Sequence, residues 1–204
     1  MKKKTKRKPL LPYQKLGIIF LIVVISGFFG WVYEVIFYFF NNGMDGFYMQ
    51  GGNFLPWINI YAIGALAVLF LTYKLREKPW LIFFLSMLIT GTIELVGGWL
   101  VYVIGNGTRY WDYNVEILNF GNIGGFTCLR SVLFFGISCM FLMYVVLPFC
   151  VKLSRKLSKP AFLILSISLF SIVMLDEVGN LVAKNSGLPT AMDFYRSQGI
   201  KYND

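Results

Sequence analysis

Residues 16–40 read LGIIFLIVVISGFFGWVYEVIFYFF, an apolar run of 25 residues with a single charged side chain, Glu34. A helix needs about 20 apolar residues to cross the hydrocarbon core of a bilayer. The run is too long for the core of a signal peptide and has no A-x-A cleavage pattern, so we interpret it as a retained membrane helix. This stretch therefore predicts a membrane protein whose first span is Leu16–Phe40.

Further apolar stretches of similar length follow at Pro56–Tyr73, Pro79–Ile104, Ser131–Val151 and Pro160–Ala183. The composition agrees, because 57% of the residues are hydrophobic and 14% are charged, whereas soluble domains carry about 25% charged residues. The sequence predicts an all-α, polytopic membrane helix bundle with five transmembrane helices. Residues 106–128, rich in glycine and aromatic residues, are a candidate re-entrant sixth segment.

The basic residues predict the orientation of the chain. Of the 19 lysines and arginines, seven lie in residues 1–15, three in 74–78 and four in 152–159. Loops rich in basic residues stay in the cytoplasm. We therefore expect a cytoplasmic N-terminal segment (1–15), a transmembrane domain (16–183) and an extracytoplasmic C-terminal tail (184–204) in the cell membrane. Basic segments this close to a bilayer attract anionic headgroups, so the expected partners are membrane lipids and not nucleic acid.

Charged side chains inside the predicted spans mark a candidate site. They are Glu34, Glu94, Asp176 and Glu177, with Arg130 at the mouth of the fourth span. A charge at membrane depth costs several kcal/mol unless it is paired, hydrated or neutralised. Such residues are therefore more often functional than those on a soluble surface.

Spacing indicates where these carboxylates point. Gly27 and Gly30 precede Glu34 on one helical face, and Gly91 and Gly98 share a face with Glu94. Small residues allow neighbouring helices to approach closely, so both glutamates should face helix contacts and not lipid.

Depth can be counted from the cytoplasmic lysines. Glu34, Glu94 and Asp176 lie 19, 16 and 17 residues beyond the nearest such lysine, which places them within about 4.5 Å of one height. We expect one outward-open polar chamber, with these carboxylates below and Arg130, Arg109 and Asp112 above. The alternative is that Glu34 or Glu94 pairs with Arg130 only to fix helix packing, while Asp176 and Glu177 form an ordinary helix end.

The side chains that most often bind metals are scarce. Histidine is absent, and Cys128, Cys139 and Cys150 are spaced 11 residues apart, about 16 Å along a helix. We therefore expect no metal and no cofactor. The chain also lacks the GxxxxGK[ST] phosphate loop, so ATP-driven work would need a separate ATPase.

Several motifs carry a resemblance to a known family. They are GWVYE (30–34), LPWINIYAIGA (55–65), IELVGGWLV (93–101), YWDYN (110–114) and NIGGFTCLR (122–130). In these the chain resembles the bacterial ABC-transporter type IV permease family and a related group of small eukaryotic transmembrane proteins. The resemblance implies a transport role and adds Trp31, Trp111 and Tyr113 to the candidate site. Its motif positions are Trp31, Glu34, Pro56, Tyr61, Gly64, Glu94, Gly98, Trp99, Trp111, Asp112, Tyr113, Asn122, Gly125 and Arg130.

Three functions are compatible with these features. The first is a permease-like transport component, in which Glu34 and Glu94 contact substrate or ion while Arg130 and Asp112 gate or orient. It would work with a separate ATPase, with another membrane subunit or as a homo-oligomer. The second is a substrate-capture or regulatory subunit without turnover of its own. The third is an intramembrane enzyme acting on lipid headgroups, which the missing histidine and the lack of an activated nucleophile disfavour. We expect no catalytic residues, and the substrate stays open.

Overall fold

The computed structural model describes residues 9–202. Of the predicted N-terminal segment, residues 1–8 lie outside this range, as do residues 203 and 204 of the predicted tail. The helices and strands, numbered in chain order, are α1 (Pro12–Asn41), β1 (Tyr48–Met49), α2 (Asn59–Thr72), α3 (Pro79–Ile104), α4 (Leu129–Phe141), α5 (Leu147–Lys156), α6 (Lys159–Asn185), α7 (Ala191–Ser197) and β2 (Lys201–Tyr202).

The predicted all-α membrane bundle is confirmed. Within residues 9–202, four helices are long and apolar enough to cross a bilayer: α1, α3, the continuous helix Leu129–Lys156 and α6. The predicted span Pro56–Tyr73 corresponds to α2 and the 3₁₀ turn that follows it, a shorter apolar helix, Asn59–Leu75. Prolines stand in the first turn of α1, α3 and α6, where the missing N–H has no partner to lose. The total of five crossings and the orientation stay predictions.

Helix Leu129–Lys156 is interrupted by a π turn, Leu142–Val146, in which the Leu147 N–H donates to the Leu142 carbonyl. Pro148 follows directly and has no N–H for the regular ladder. Extra residues of this kind re-aim the side chains of a helix and are frequent at functional sites. Here the turn separates α4, which carries Arg130, from the basic helix α5.

Successive connections lie at opposite ends of the bundle. At one end, the Tyr144 hydroxyl donates to the Arg76 carbonyl (2.8 Å) and the Gln14 amide donates to the Ser154 carbonyl (2.7 Å). We call this the basic end, because it holds the lysines and arginines of residues 74–78 and 152–159. The connections at the basic end, between α2 and α3 and between α5 and α6, each join two helices that run in opposite directions through the bundle.

The opposite end, the loop end, holds loop A (residues 42–58), loop B (residues 105–128) and the tail (residues 186–202). Strand β1 of loop A pairs in parallel with β2 of the tail, with Tyr48 opposite Lys201. Loop B is tied to α1 because the Ile117 N–H donates to the Asn41 side chain (2.9 Å). The candidate re-entrant segment 106–128 contains no helix; its only regular pairing is an isolated bridge between Ile123 and Thr127.

Loop A reaches far into the bundle before α2 begins. The Trp57 indole N–H donates to the Val23 carbonyl (3.1 Å), and the Ile58 N–H donates to the Gly27 carbonyl (3.2 Å), both near the middle of α1. Trp57 is buried against Gly27, where any larger residue would overlap the indole ring. Non-helical backbone at this depth needs internal hydrogen-bond partners, because lipid supplies none.

Candidate functional site

Glu94 is a buried carboxylate with three hydrogen-bond donors among the described residues. It lies on α3, is 5% exposed and accepts hydrogen bonds from the hydroxyls of Thr127 (2.7 Å) and Ser131 (2.7 Å). The Tyr113 hydroxyl donates a third bond to the other carboxylate oxygen. Three donors satisfy a buried carboxylate without a cation. Glu94 thereby fastens the first half and the final residues of loop B to α3.

Burial and then the nearby Glu94 carboxylate raise the pKa of the Tyr113 phenol well above its ordinary value. The phenol therefore keeps its proton over the physiological range and acts as a hydrogen-bond donor. Tyr113 was predicted from the family motif, and it directly contacts a second predicted residue, Glu94.

Glu34 has a different environment on α1. Its carboxylate accepts a hydrogen bond from the Tyr61 hydroxyl at 2.9 Å, and Tyr61 is its hydrogen-bond partner among the described residues. The Tyr61 ring packs against Gly30, one turn before Glu34, so closely that a methyl group at residue 30 would overlap it. The glycine face predicted for α1 thus packs against an aromatic side chain of α2. This close packing directs the Tyr61 hydroxyl toward Glu34.

Arg130 forms an ion pair with Glu116, a residue that the sequence analysis did not assign to the site. The guanidinium Nη2 lies 2.5 Å from the carboxylate, and the side chains are 12% and 4% exposed. The Tyr38 hydroxyl donates to the other Glu116 oxygen at 2.7 Å, and the Arg130 guanidinium lies 3.9 Å from the centre of the Phe37 ring. Arg130 therefore fixes loop B to α1 and α4. The alternative prediction paired Arg130 with Glu34 or Glu94, but its acidic partner is Glu116.

The pairs Glu94–Tyr113, Glu34–Tyr61 and Arg130–Glu116 are neighbours. Tyr61, the partner of Glu34, lines one cavity together with Glu94, and the Arg130 guanidinium lies 5.2 Å from the centre of the Tyr113 ring. We call Glu34, Glu94, Glu116 and Arg130, with their tyrosine partners, the carboxylate cluster. The cluster brings three carboxyl groups and one guanidinium together beneath loop B.

Trp111 and Asp112 brace loop B and do not contact the other acids. The Trp111 indole N–H donates to the Phe126 carbonyl (2.8 Å), and its ring packs on Gly98 of α3. Asp112 accepts from the backbone and side chain of Asn114 (2.9 and 2.7 Å) and lies 3.7 Å from Arg109. At Gly125 the backbone has a φ of +80°, and a side chain there would overlap this polar group. The YWDYN motif therefore builds the loop that covers the cluster.

Asp176 lies elsewhere in the bundle, because it bonds to loop A. Its two carboxylate oxygens accept from the backbone N–H groups of Phe54 (3.1 Å) and Leu55 (2.6 Å). Its neighbour Glu177 accepts from the amides of Asn53 and Asn59, both at 2.7 Å. Both acids of α6 thus accept hydrogen bonds from the non-helical segment that enters the bundle. Neither of the two predictions, a shared chamber or an ordinary helix end, included this role.

The remaining predicted residue, Trp31, lies on α1 next to the cluster in sequence. Its indole nitrogen is buried and has no hydrogen-bond partner within residues 9–202. The residues that sequence reasoning left out of the site are Tyr38, Glu116, Thr127 and Ser131. Glu116 could have been found from the sequence, since a basic side chain at the mouth of a span often pairs with an acid nearby. The hydroxyl donors Tyr38, Thr127 and Ser131 could not be found in this way, because uncharged hydroxyl side chains are common in loops and helices.

Comparison with known proteins supports the resemblance seen in the motifs. A model of the family described as "Putative ABC-transporter type IV" matches residues 20–180, which include the four long apolar helices in whole or large part and all of the carboxylate cluster. No match was found among curated proteins or among solved structures. With its apolar helices, this is a multi-pass membrane protein, and the chain belongs to the ABC-transporter type IV family that this description names.

Proposed function

We propose that this protein is a membrane-embedded transport component whose functional site is the carboxylate cluster beneath loop B. The observation that carries the proposal is that Glu94 and Tyr61, the partner of Glu34, line one cavity from separate helices beneath a loop fixed by Arg130. Carboxylates at membrane depth serve as cation or proton sites in many transport proteins. Family membership supports the same role.

Within the cluster, Glu34 is the residue proposed to contact the ion or substrate. Tyr61 alone donates to it among the described residues, whereas Glu94 accepts three bonds. A carboxylate with unused acceptor positions can exchange a proton or take a cation without first losing protein contacts. Arg130 and Asp112 would act through loop B as gating and orienting residues.

The energy source is proposed to lie in another chain. The sequence contains no GxxxxGK[ST] motif, so a separate ATPase or another membrane subunit would drive transport, and assembly as a homo-oligomer would enlarge the transport path. The basic end is proposed to face the cytoplasm, with five crossings and the tail outside the cell membrane. The concentration of lysines and arginines at the basic end supports this orientation.

Flux measurements test the proposal. Purified protein in vesicles that contain a pH-sensitive dye should dissipate an imposed proton or potassium gradient, and Glu34→Gln should abolish that flux. Glu77→Gln, which removes an exposed acid at the basic end, is the matched control and should retain it. Equal flux from Glu34→Gln and Glu77→Gln would remove Glu34 from the mechanism.

A second candidate function is a capture or regulatory subunit without flux of its own. The saturation of Glu94 and Glu116 by partners within the chain favours it, because such groups stabilise a fixed structure. This function predicts no flux from the isolated protein and co-purification with a second membrane protein from native membranes. Flux by the protein alone would exclude it.

A further inference from the structure

A cavity of about 460 Å³ lies between α1, α2, α3 and α4, on the basic-end side of the carboxylate cluster. Its volume lies within the range of about 300–1,000 Å³ that is usual for small-molecule sites. The lining is almost wholly aliphatic and aromatic, and the π turn contributes Leu142 and Val146 to its inner end. It is a concave site and not a flat apolar face.

The cavity reaches the surface between α1 and α4, where the rings of Phe29 and Phe141 meet edge to face with their centres 5.6 Å apart. Phe29 and Ile36 of α1 and Ile137 and Phe141 of α4 line it, and these four side chains are 44–62% exposed. They belong to two of the helices that are apolar enough to cross a bilayer. The opening is therefore continuous with the lipid-facing surface, where acyl chains are the surrounding medium.

Polarity changes along the cavity. Tyr61 and Glu94 line the part nearest the loop end, whereas Ala65, Leu142 and Val146 line the part nearest the basic end. From Phe134 to Val146 the cavity follows about 18 Å of helix, close to the ~15 Å hydrocarbon depth of one leaflet. Its polar-to-apolar direction matches that of an amphiphile in the leaflet at the loop end.

From these features we propose that the cavity binds one hydrocarbon chain of a bilayer amphiphile, which enters laterally between α1 and α4. A void lined by apolar atoms loses dispersion contacts unless something fills it. The chain would lie beside Cys139, with its headgroup near the carboxylate cluster. This site does not depend on transport activity.

Gly64 allows the cavity to be filled by one substitution. It lines the cavity, and a Cβ added there would meet only Thr90, at 3.6 Å. The side chain of Gly64→Leu would therefore occupy the space proposed for the hydrocarbon chain. Gly97→Leu is the matched control, because a Cβ at this α3 glycine meets nothing within 4 Å and both changes give a similar gain in helix propensity.

The experiment is native mass spectrometry of the purified, delipidated protein after incubation with a C16 lysophosphatidylcholine. Wild type and Gly64→Leu should have similar unfolding temperatures, but Gly64→Leu should retain the lipid at least about tenfold less, equivalent to ~1.4 kcal/mol, while Gly97→Leu retains it as wild type does. Lipid should also slow alkylation of Cys139 and leave that of Cys150 unchanged.

Three outcomes would overturn the proposal. The first is equal lipid retention by all three proteins, and the second is no retention by wild type. The third is a wild-type dimer that Gly64→Leu dissociates without any retained lipid, which would assign the cavity to a second copy. None of these outcomes affects the flux prediction for Glu34→Gln, so the two proposals fail separately.

Discussion

Replacement of Arg130 by methionine is expected to release loop B from the bundle. The change leaves Glu116 buried, and among residues 9–202 the Tyr38 hydroxyl alone still donates to its carboxylate. Breaking a buried ion pair by removing one partner costs about 3–5 kcal/mol, since the remaining charge stays out of water. The 2.5 Å separation and the 12% and 4% exposure place this pair in that class.

Two native cysteines report where the structure opens. Cys128 is 1% exposed at the junction of loop B and α4, whereas Cys150 is fully buried in α5 near the basic end. Alkylation followed by peptide mass spectrometry measures each thiol separately. A loss of ~3 kcal/mol in the free energy of local opening should speed Cys128 labelling about 100-fold in Arg130→Met, and Cys150 labelling should change little.

A double-mutant cycle completes this test. Glu116→Gln alone should also speed Cys128 labelling, because it leaves the Arg130 charge without its acid. The double variant should be less damaged than the sum of the single changes, by at least about 1 kcal/mol. Additive effects, or labelling of Cys128 in Arg130→Met within about threefold of wild type, would refute the assignment of the ion pair as the fastening of loop B.

Other predictions concern the helix contacts, loop A and the tail. Gly30→Ala should lower the unfolding temperature through a cost of about 1–3 kcal/mol, because the methyl group overlaps the Tyr61 ring; Gly97→Ala, which meets open space, should not lower it. Asp176→Ala should cost about 1–3 kcal/mol by leaving two backbone donors of loop A unsatisfied, and protease cleavage within residues 50–58 should accelerate. Hydrogen bonds from the start of α7 hold the pKa of Asp193 below its ordinary value of 3.8. A lowered pKa stabilises the fold above that ordinary value, and the contribution is lost as the pH falls below that value and through the lowered pKa. Hydrogen exchange of α7, corrected for the intrinsic rate, should therefore accelerate on acidification in wild type but not in Asp193→Asn.

The spans were predictable because their signal is local. Apolar length located α1, α3 and α6 to within a few residues. Helix α2 begins three residues later than the predicted span, because Pro56, Trp57 and Ile58 belong to loop A. The fold of this segment depends on Asp176 and Glu177, more than 110 residues away in sequence. No local pattern could reveal that dependence.

The single chamber was only partly predictable, because counting residues along a helix gives height and not direction around the bundle. Glu34, Glu94 and Asp176 were predicted at one level. Helix α6 packs on α1 and α5, whereas α3 packs on α2 and α4. Asp176 therefore faces loop A, while Glu34 and Glu94 are neighbours beneath loop B.

The glycine faces of α1 were also only partly predictable. Gly27 and Gly30 were predicted to admit neighbouring helices, and they do lie at tight contacts. The groups that approach them are the side chains of Trp57 and Tyr61. The pattern of small residues indicates a close approach without specifying what approaches, so the hydrogen bond from Tyr61 to Glu34 could not be predicted from it.

The difference between the two membrane glutamates determines how loop B and the proposed site are related. Glu94 is bonded to Tyr113 and Thr127 of loop B, so any movement of the loop costs this carboxylate two of its three donors. Glu34 bonds to α2 and loses nothing by the same movement. Opening loop B would therefore leave Glu94 with an uncompensated charge in a low-dielectric site, and a cation or proton arriving at the cluster would offset that cost. On the proposed function, occupancy of the cluster and opening of loop B favour each other, which links gating to the ion through the hydrogen bonds of Glu94.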